Sequence, residues 1–241
     1  MANTLFLRLE GPLQSWGERA RWSVRDTAPE PTKSGVIGLL GCALGINTDE
    51  PLRELSQSLR MGVRCDQPGA RLIDYHTVGG GYDYPALLDA TGKPKKSSGR
   101  PHTELTWRHY LCDASFLAAL QGEPDIIVQL AAAIQAPHWP IYLGRKSCLP
   151  SRPPFDGVGD FADLETALVE QPPHPATARG ADGLVRVRAV IECTPTKGDA
   201  ARHRDETLSR SRRTFAPRYT YEKLLTFEIR KEEADPCTSP D

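Results

Sequence analysis

The order in which strand-like and helix-like patterns follow one another is the feature of this sequence that most limits its fold. Apolar residues alternate with polar ones in predicted strands and recur every three or four positions in predicted helices. The predicted elements are a strand over 5–9, a helix over 32–44, a short helix ending near 59, strands over 61–65, 72–78 and 106–120, a helix over 124–134, and strands over 185–191 and 224–229. Strand, helix, strand, strand, helix, strand is the order of the ferredoxin-like (RRM-like) split βαβ core. We therefore predict an α+β fold of this class with a C-terminal extension.

One segment interrupts this order with a composition that does not suit a packed core. Residues 79–99 contain Gly-Gly-Gly, two tyrosines, two prolines, Lys-Pro-Lys-Lys and Ser-Ser-Gly. A segment with so little apolar surface cannot offset the entropy lost on ordering by packing. We therefore predict an inserted, protruding β-hairpin thumb over residues 79–107, carried by a core that consists of residues 1–78 and 108–241.

Several classes of protein are disfavoured by what the sequence lacks. The first ten residues have no basic region before their apolar stretch, so we expect no signal peptide. The longest apolar run, residues 35–46, is too short to cross a bilayer, so we expect no membrane partner. The six cysteines form no C-x-x-C pair, and no two histidines have the spacing of metal ligands. We therefore predict a cytoplasmic protein with reduced thiols, no metal and no cofactor.

The overall formal net charge of -1 hides a strong segregation of charge along the chain. Residues 92–109, 139–152 and 197–218 carry net charges of +4, +3 and +4, so the rest of the chain carries -12. A single charged run is usually a solvated face, but three basic segments that are compensated elsewhere favour a bipolar surface. We predict that one side of the protein is basic and binds phosphate.

Four stretches together resemble one known family, in order and spacing. They are LEGPLQSW at 9–16, PTKSGVIGLLGCALG at 31–45, DASFLAAL at 113–120 and YLGRKSC at 142–148. The chain resembles the CasD family of repeat-associated RNA-binding subunits in the type I-E CRISPR complex Cascade. The resemblance implies a non-catalytic subunit that holds the 5′ handle of the CRISPR RNA and caps one end of the backbone of repeated subunits. It also implies contact with the large subunit, target DNA reached only through the complex, and a thumb that projects from the ferredoxin-like core.

The chemistry of RNA binding selects candidate residues in four places. A helix N-terminus offers free N–H groups to phosphate, although the same residues also suit a plain helix cap. A glycine turn with two adjacent cations lets the backbone approach a ligand, and a neighbouring aromatic side chain can stack on a base. The candidates are Gln14 and Arg25 in the loop after the first strand, Thr32, Lys33 and Ser34 at the helix start, Arg100 and Arg108 in and below the thumb, and Tyr142, Leu143, Gly144, Arg145 and Lys146 in the glycine turn.

Three questions remain open at the level of sequence. Related proteins of another CRISPR subtype are metal-independent endoribonucleases, and His76, His102 and His109 could supply a general acid or base for such a reaction. A pure protein scaffold without RNA contact is a further alternative. The segment from Arg202 to Arg213 suits either an arginine-rich element that folds on RNA or a disordered loop kept soluble by its charge.

Overall fold

The computed structural model describes residues 1–18, 23–79, 86–178 and 183–229. Within these residues the chain forms eleven strands and five helices. In chain order they are β1 (Thr4–Gln14), β2 (Val24–Arg25), α1 (Lys33–Leu44), α2 (Asp49–Ser58), β3 (Arg60–Gln67), β4 (Ala70–Val78), β5 (Lys96–Ser97), β6 (Arg100–Pro101), β7 (Glu104–Gln121), α3 (Pro124–Gln135), β8 (Phe155–Gly159), α4 (Leu164–Glu170), α5 (Pro175–Ala178), β9 (Gly183–Glu192), β10 (Ala201–Ser209) and β11 (Thr214–Ile229).

Most strands join one large sheet with the spatial order β10-β11-β9-β3-β7-β1-β8, in which all neighbours are antiparallel. The long strand β7 organises the sheet because it has different neighbours along its length. Its first half pairs with β4 and, in parallel, with the short strand β2, whereas its second half pairs with β3 and β1. The chain is therefore a mixed α/β protein built on a large antiparallel sheet.

The sheet is covered on both faces, and strand β1 shows how. Leu5 and Leu7 pack in the apolar cluster shared with α1 and α3, whereas Phe6 belongs to the cluster on the opposite face with α4. Arg8 is also buried and forms ion pairs with Asp66 and Asp156. These pairs are needed because a buried charge is strongly unfavourable unless an opposite charge compensates it. β1 is longer than predicted: it pairs with β7 as far as Gln14 and omits only Pro12, which has no N–H.

Helix α1 begins and ends as predicted. Thr32 is its N-cap and accepts a hydrogen bond from the N–H of Gly35 through its hydroxyl, and Gly45 ends the helix in the left-handed conformation at φ 74°. Two glycines of α1 allow neighbouring side chains to pack closely against the helix. A Cβ at Gly35 would lie 2.8 Å from the Trp16 ring, and one at Gly41 would lie 2.5 Å from Leu52.

The predicted thumb corresponds to the chain between β4 and β7, two neighbouring strands of the large sheet. These strands pair from Ala70 with Cys112 to Val78 with Glu104, and the chain between them includes the small β5–β6 ladder. Part of the predicted thumb, residues 80–85, lies outside the described residues.

The C-terminal part contains structure that the sequence patterns did not reveal. Strand β8 and helix α4 lie between residues 134 and 185, where no helix or strand was predicted. The arginine-rich segment forms β10 and the turn to β11, so the alternative of a disordered loop is wrong. Among the described residues no helix has both the length and the apolar character needed to cross a membrane.

Candidate nucleic-acid interface

A cavity of about 450 Å³ lies between the first half of α1 and the turn that joins β10 to β11. We call it the α1 groove. It brings together five of the predicted RNA-binding residues, which come from three distant parts of the sequence. The five are Arg25, Thr32, Ser34, Gly144 and Arg145.

The N-terminus of α1 offers fewer free donors than the sequence suggested. The N–H of Lys33 donates to Asp205 at 2.8 Å, that of Gly35 donates to the Thr32 hydroxyl at 3.3 Å, and that of Val36 donates to the Thr32 carbonyl at 3.0 Å. The Val36 bond is the first ordinary bond of the helix, and two of the three N–H groups before it, those of Lys33 and Gly35, are already bound within the protein. Thr32 acts as a helix cap, and α1 contributes to the groove through its cap and first two turns, by Thr32, Ser34, Gly35, Ile37 and Gly38.

Lys33 requires a correction. The sequence predicted that its ammonium contacts RNA, but the side chain is 2% exposed and does not line the α1 groove. Its Nζ lies 2.6 Å from a carboxylate oxygen of Glu206 and 3.2 Å from one of Glu192. A buried ammonium is tolerated only when carboxylates compensate it, so this charge is used to join α1 to β9 and β10.

A second buried ion pair lies beside Lys33. Arg218 donates two hydrogen bonds to Asp205, at 2.9 and 2.7 Å. Burial is the largest single effect and would raise the pKa of Asp205, but the hydrogen bonds and charge of Arg218, together with the hydrogen bond from the Lys33 N–H, hold this pKa below its ordinary value. Together the two ion pairs fasten the C-terminal strands to the start of α1.

Gln14 and Leu143 are also structural rather than exposed, contrary to their predicted contact with RNA. The Gln14 amide nitrogen donates to the carbonyls of Leu9 and Ala114 at 3.0 and 2.7 Å, and its oxygen accepts a hydrogen bond from the Trp16 indole at 3.0 Å. Both Gln14 and Leu143 have no solvent-exposed surface. Gln14 therefore holds Trp16 in the core, where the tryptophan is 1% exposed.

The glycine turn is shaped by a close backbone contact. Gly144 has φ 93°, and a Cβ there would lie 1.8 Å from the Ser15 carbonyl oxygen. Arg145 follows it and donates hydrogen bonds to the carbonyls of His109 at 2.9 Å and Arg25 at 2.7 Å, while its guanidinium lies 4.6 Å from the centre of the Tyr110 ring. Arg145 thus joins three segments at the groove and also adds positive charge to its wall.

A smaller cavity of about 160 Å³ adjoins the groove at Arg25, which lines both. It is also lined by Arg108 and by residues of the predicted thumb, among them Lys95. The charge of Lys95 is compensated by Glu104 at 2.8 Å, and hydrogen bonds from Lys95 and His102 lower the pKa of Glu104. Arg25 and Arg108 are the other two cations among the described residues that line this cavity.

Three further candidates lie apart from these cavities. Arg100 is exposed in β6, Lys146 is exposed in the glycine turn, and Tyr142 is half-buried beside it. None of the three lines the α1 groove or the smaller cavity.

The structure adds residues on the opposite wall of the groove. Arg210, Arg213 and Phe215 line it, and Arg213 and Phe215 also line a neighbouring cavity of about 500 Å³ together with Arg204. Sequence analysis found the charge of this segment but could not place it. The local net charge of +4 was the only signal.

Asp49, at the start of α2, holds this arginine-bearing turn in place. Its carboxylate accepts hydrogen bonds from the hydroxyl of Ser209, from the N–H and hydroxyl of Ser211, and from the N–H of Arg210. The two serine hydroxyls are the main reason that the pKa of Asp49 falls to about 2. The turn is therefore anchored to the helical layer that forms the other wall.

None of the three histidines that could support an endoribonuclease lines the α1 groove, although Arg145 and Ser15, which do line it, donate hydrogen bonds to the His109 carbonyl. His76 faces Asp74 at 3.5 Å, His102 faces Glu104 at 3.1 Å, and no histidine is among the described residues that line the groove. The described part of the chain also contains no cluster of three or more metal-binding side chains.

Comparison with known proteins extends over nearly the whole chain. A family model described as CRISPR-associated protein (Cas_Cas5) matches residues 4–225. The "CRISPR system Cascade subunit CasD" of Escherichia coli (strain K12) is 40% identical over 187 residues, which cover 72% of this chain and 79% of that protein.

Solved structures agree with this match. One titled "CRISPR RNA-guided surveillance complex" aligns with a TM-score of 0.75 and 32% identity, covering 92% of this chain and 90% of the other. Another, titled "Crystal structure of Cas protein", aligns with a TM-score of 0.60 and 34% identity over 92% and 94% of the two chains. The chain belongs to the Cas5 family of CRISPR-associated proteins.

Proposed function

We propose that the chain is a non-catalytic RNA-binding subunit of a type I-E CRISPR surveillance complex, Cascade, and that it holds the 5′ handle of the CRISPR RNA. The α1 groove is the observation that carries the proposal. Arg25 and Arg145 stand on one side of it and Arg210 and Arg213 on the other, above a partly apolar floor. Cations that line a groove with apolar side chains suit a single strand with its backbone and bases engaged together.

The partners follow from the same family relationship. The E. coli relative carries the name of a Cascade subunit, and a structural relative comes from an RNA-guided surveillance complex. We propose that this chain acts in the cytoplasm, caps one end of the backbone of repeated subunits and contacts the large subunit. Target DNA would be reached only through the assembled complex.

We further propose that the core is ferredoxin-like and that residues 79–107 are a thumb inserted into it. Strands β8, β1, β7 and β3 are neighbours in this order and are all antiparallel. Numbered by their place in a βαββαβ unit with α1 and α3, these strands have the order 4-1-3-2, which supports the proposal. In this arrangement the thumb follows β4 and leads into β7, while residues 1–78 and 108–241 form the core and its C-terminal additions.

The endoribonuclease alternative has less support. Cleavage at a 2′-hydroxyl needs a general base and a general acid on either side of one phosphate. His76 and His102 each face a carboxylate instead, and neither lines the groove in which we place the RNA.

Charge reversal in the groove tests the proposed function. We expect the double variant Arg210→Glu/Arg213→Glu to bind 5′-handle RNA at least about ten-fold more weakly than the wild type, since each arginine would lose charge-assisted hydrogen bonds. Each lost phosphate contact should also lower the slope of log affinity against log salt by about 0.7. The measurement is fluorescence polarisation of labelled RNA with the full chain at several salt concentrations.

Arg186 is a matched control because it is an exposed arginine on β9 that does not line the α1 groove. Arg186→Glu should bind RNA like the wild type. Equal losses in the control and the double variant would point to nonspecific attraction, and a wild type that fails to bind handle RNA would contradict the proposed function.

A further inference from the structure

Gly38 is the glycine of α1 that packing within the described protein does not explain. Gly35 and Gly41 are each pressed against a neighbouring side chain, but a Cβ at Gly38 would meet no described atom within 4 Å. A glycine in the middle of a helix lowers its stability relative to alanine. The cost at position 38 is therefore not offset by any internal contact on the described part of the chain.

The space beside Gly38 is the α1 groove. Gly38 lines it together with Ile37, and Leu52 and Phe215 contribute further apolar surface. Its volume of about 450 Å³ lies within the range of small-molecule binding sites, about 300 to 1,000 Å³. A side chain at position 38 would therefore occupy space that a ligand could use.

The polar groups of the groove match one class of ligand. Arg210 and Arg213 are exposed at its edge, and among the described residues neither guanidinium has an ion-pair partner. Thr207, which is 5% exposed, also lines the groove, and no described residue forms a hydrogen bond with its hydroxyl. The apolar surface suits a base, the Thr207 hydroxyl can bond to the edge of that base, and the two arginines, which have no ion-pair partner among the described residues, suit a phosphate.

We propose that this part of the α1 groove receives a single unstacked nucleotide of the bound RNA. The base lies against Gly38 and Phe215, its edge meets Thr207, and the adjoining phosphate meets Arg210 and Arg213. This inference rests on the proposed function and adds a specific site to it. Gly38 acts by the absence of a side chain, which keeps open the space that the base needs.

Filling the space at position 38 tests this site. We expect Gly38→Leu to weaken binding of 5′-handle RNA by about ten-fold, the effect of losing one stacked base. The fold should persist, because the new side chain enters open space, and Gly38→Ala should raise the melting temperature slightly. Gly198→Leu is the matched control, since Gly198 lies in an exposed turn, has no described atom within 4 Å of a built Cβ and lies outside the groove.

A second measurement identifies the nucleotide. The full chain is titrated with a series of handle RNAs, each with one abasic residue at a different position. One abasic position should weaken binding to the wild type by about ten-fold and leave binding to Gly38→Leu unchanged, because the variant no longer holds that base.

The outcomes separate this inference from the proposed function. A wild type that binds the handle RNA, together with a folded Gly38→Leu variant that binds equally well, would overturn the nucleotide site and leave the proposed function standing. Abasic substitutions that affect both proteins equally would also overturn it. Normal RNA affinity combined with failure of Gly38→Leu to join the complex would assign the groove to a protein segment and reject the proposal.

Discussion

Replacing Lys33 with methionine separates its structural role from the RNA contact that its sequence context suggested. Methionine keeps the length and apolar character of the buried stem and removes only the ammonium group. Glu192 and Glu206 then face each other without the cation that lies between them. The perturbation is therefore the loss of one charge from a buried cluster of three.

The size of the effect follows from the burial of the cluster. Removing one partner of a buried ion pair costs about 3–5 kcal/mol, because the remaining charge is left uncompensated. The side chains of Glu192 and Glu206 are still 17% and 14% exposed, so water can compensate part of the loss. We expect a loss near the lower limit, about 3 kcal/mol.

Urea unfolding measures this loss directly. With an m-value of about 3 kcal/mol per molar urea, the midpoint of Lys33→Met should fall by about 1 M at an unchanged m-value. The double variant Lys33→Met/Glu206→Gln should lose less than the sum of the two single variants, because the residues interact. Lys146→Met is the control for stability, since Lys146 is exposed and its replacement should leave the midpoint unchanged.

RNA binding supplies the result that would refute this reasoning. If Lys33 is used only inside the fold, the folded variant should show the wild-type dependence of RNA affinity on salt. A variant with the wild-type urea midpoint and a salt slope lower by about 0.7 would instead show that Lys33 neutralises a phosphate.

Three further outcomes are expected. Gly144→Ala should cost at least about 2 kcal/mol in a thermal denaturation experiment, because its Cβ would overlap the Ser15 carbonyl and its φ is 93°. Hydrogen bonds from two serine hydroxyls lower the pKa of Asp49 to about 2 from the ordinary 3.8. The stability that Asp49 gives the 209–213 turn should therefore be complete above pH 3.8 and lost as the pH falls through 2. Replacing this carboxylate in Asp49→Ala should make the amides of the turn exchange hydrogen faster. Burial raises the pKa of Cys65 to about 12, so iodoacetamide at pH 9 should modify it only after unfolding, as mass spectrometry can show.

Each of these expectations has a clear contrary result. Gly198→Ala should be as stable as the wild type, and an equally small loss for Gly144→Ala would show that the turn can move away from Ser15. Unchanged exchange in Asp49→Ala would mean that the turn is held by other contacts. Rapid labelling of Cys65 in the native protein would mean that its surroundings open readily.

Helix α1 was predictable because its determinants are local. The hydroxyl of Thr32 caps it, Gly45 stops it, and both effects depend on residues within a few positions. Strand β10 was not predictable because its sequence, ARHRDETLS, has little apolar alternation. Its stability comes from pairing with β11 and from contact with α2, and neither partner can be inferred from the residues of β10 alone.

In the candidate site, too, features set by nearby residues were predictable and features set by distant contacts were not. Arg25, Ser34 and the glycine turn, which were selected from the sequence, line the groove, whereas the burial of Gln14 and Lys33 was not foreseen. A lysine at a helix start looks the same in sequence whether it faces solvent or two carboxylates. The carboxylates that decide the matter, Glu192 and Glu206, are more than 150 residues away along the chain.

The distance along the chain between the two walls of the α1 groove has a consequence for biosynthesis. Ser15 and Phe215 line the same cavity, so nearly the whole chain must leave the ribosome before the cavity exists. Strands β1, β3 and β7 are complete much earlier and can already pair in the nascent chain, since folding proceeds from the N-terminal part during synthesis. The protein is therefore unable to form this groove during most of its own translation, and the proposed RNA site exists only once the last strands dock.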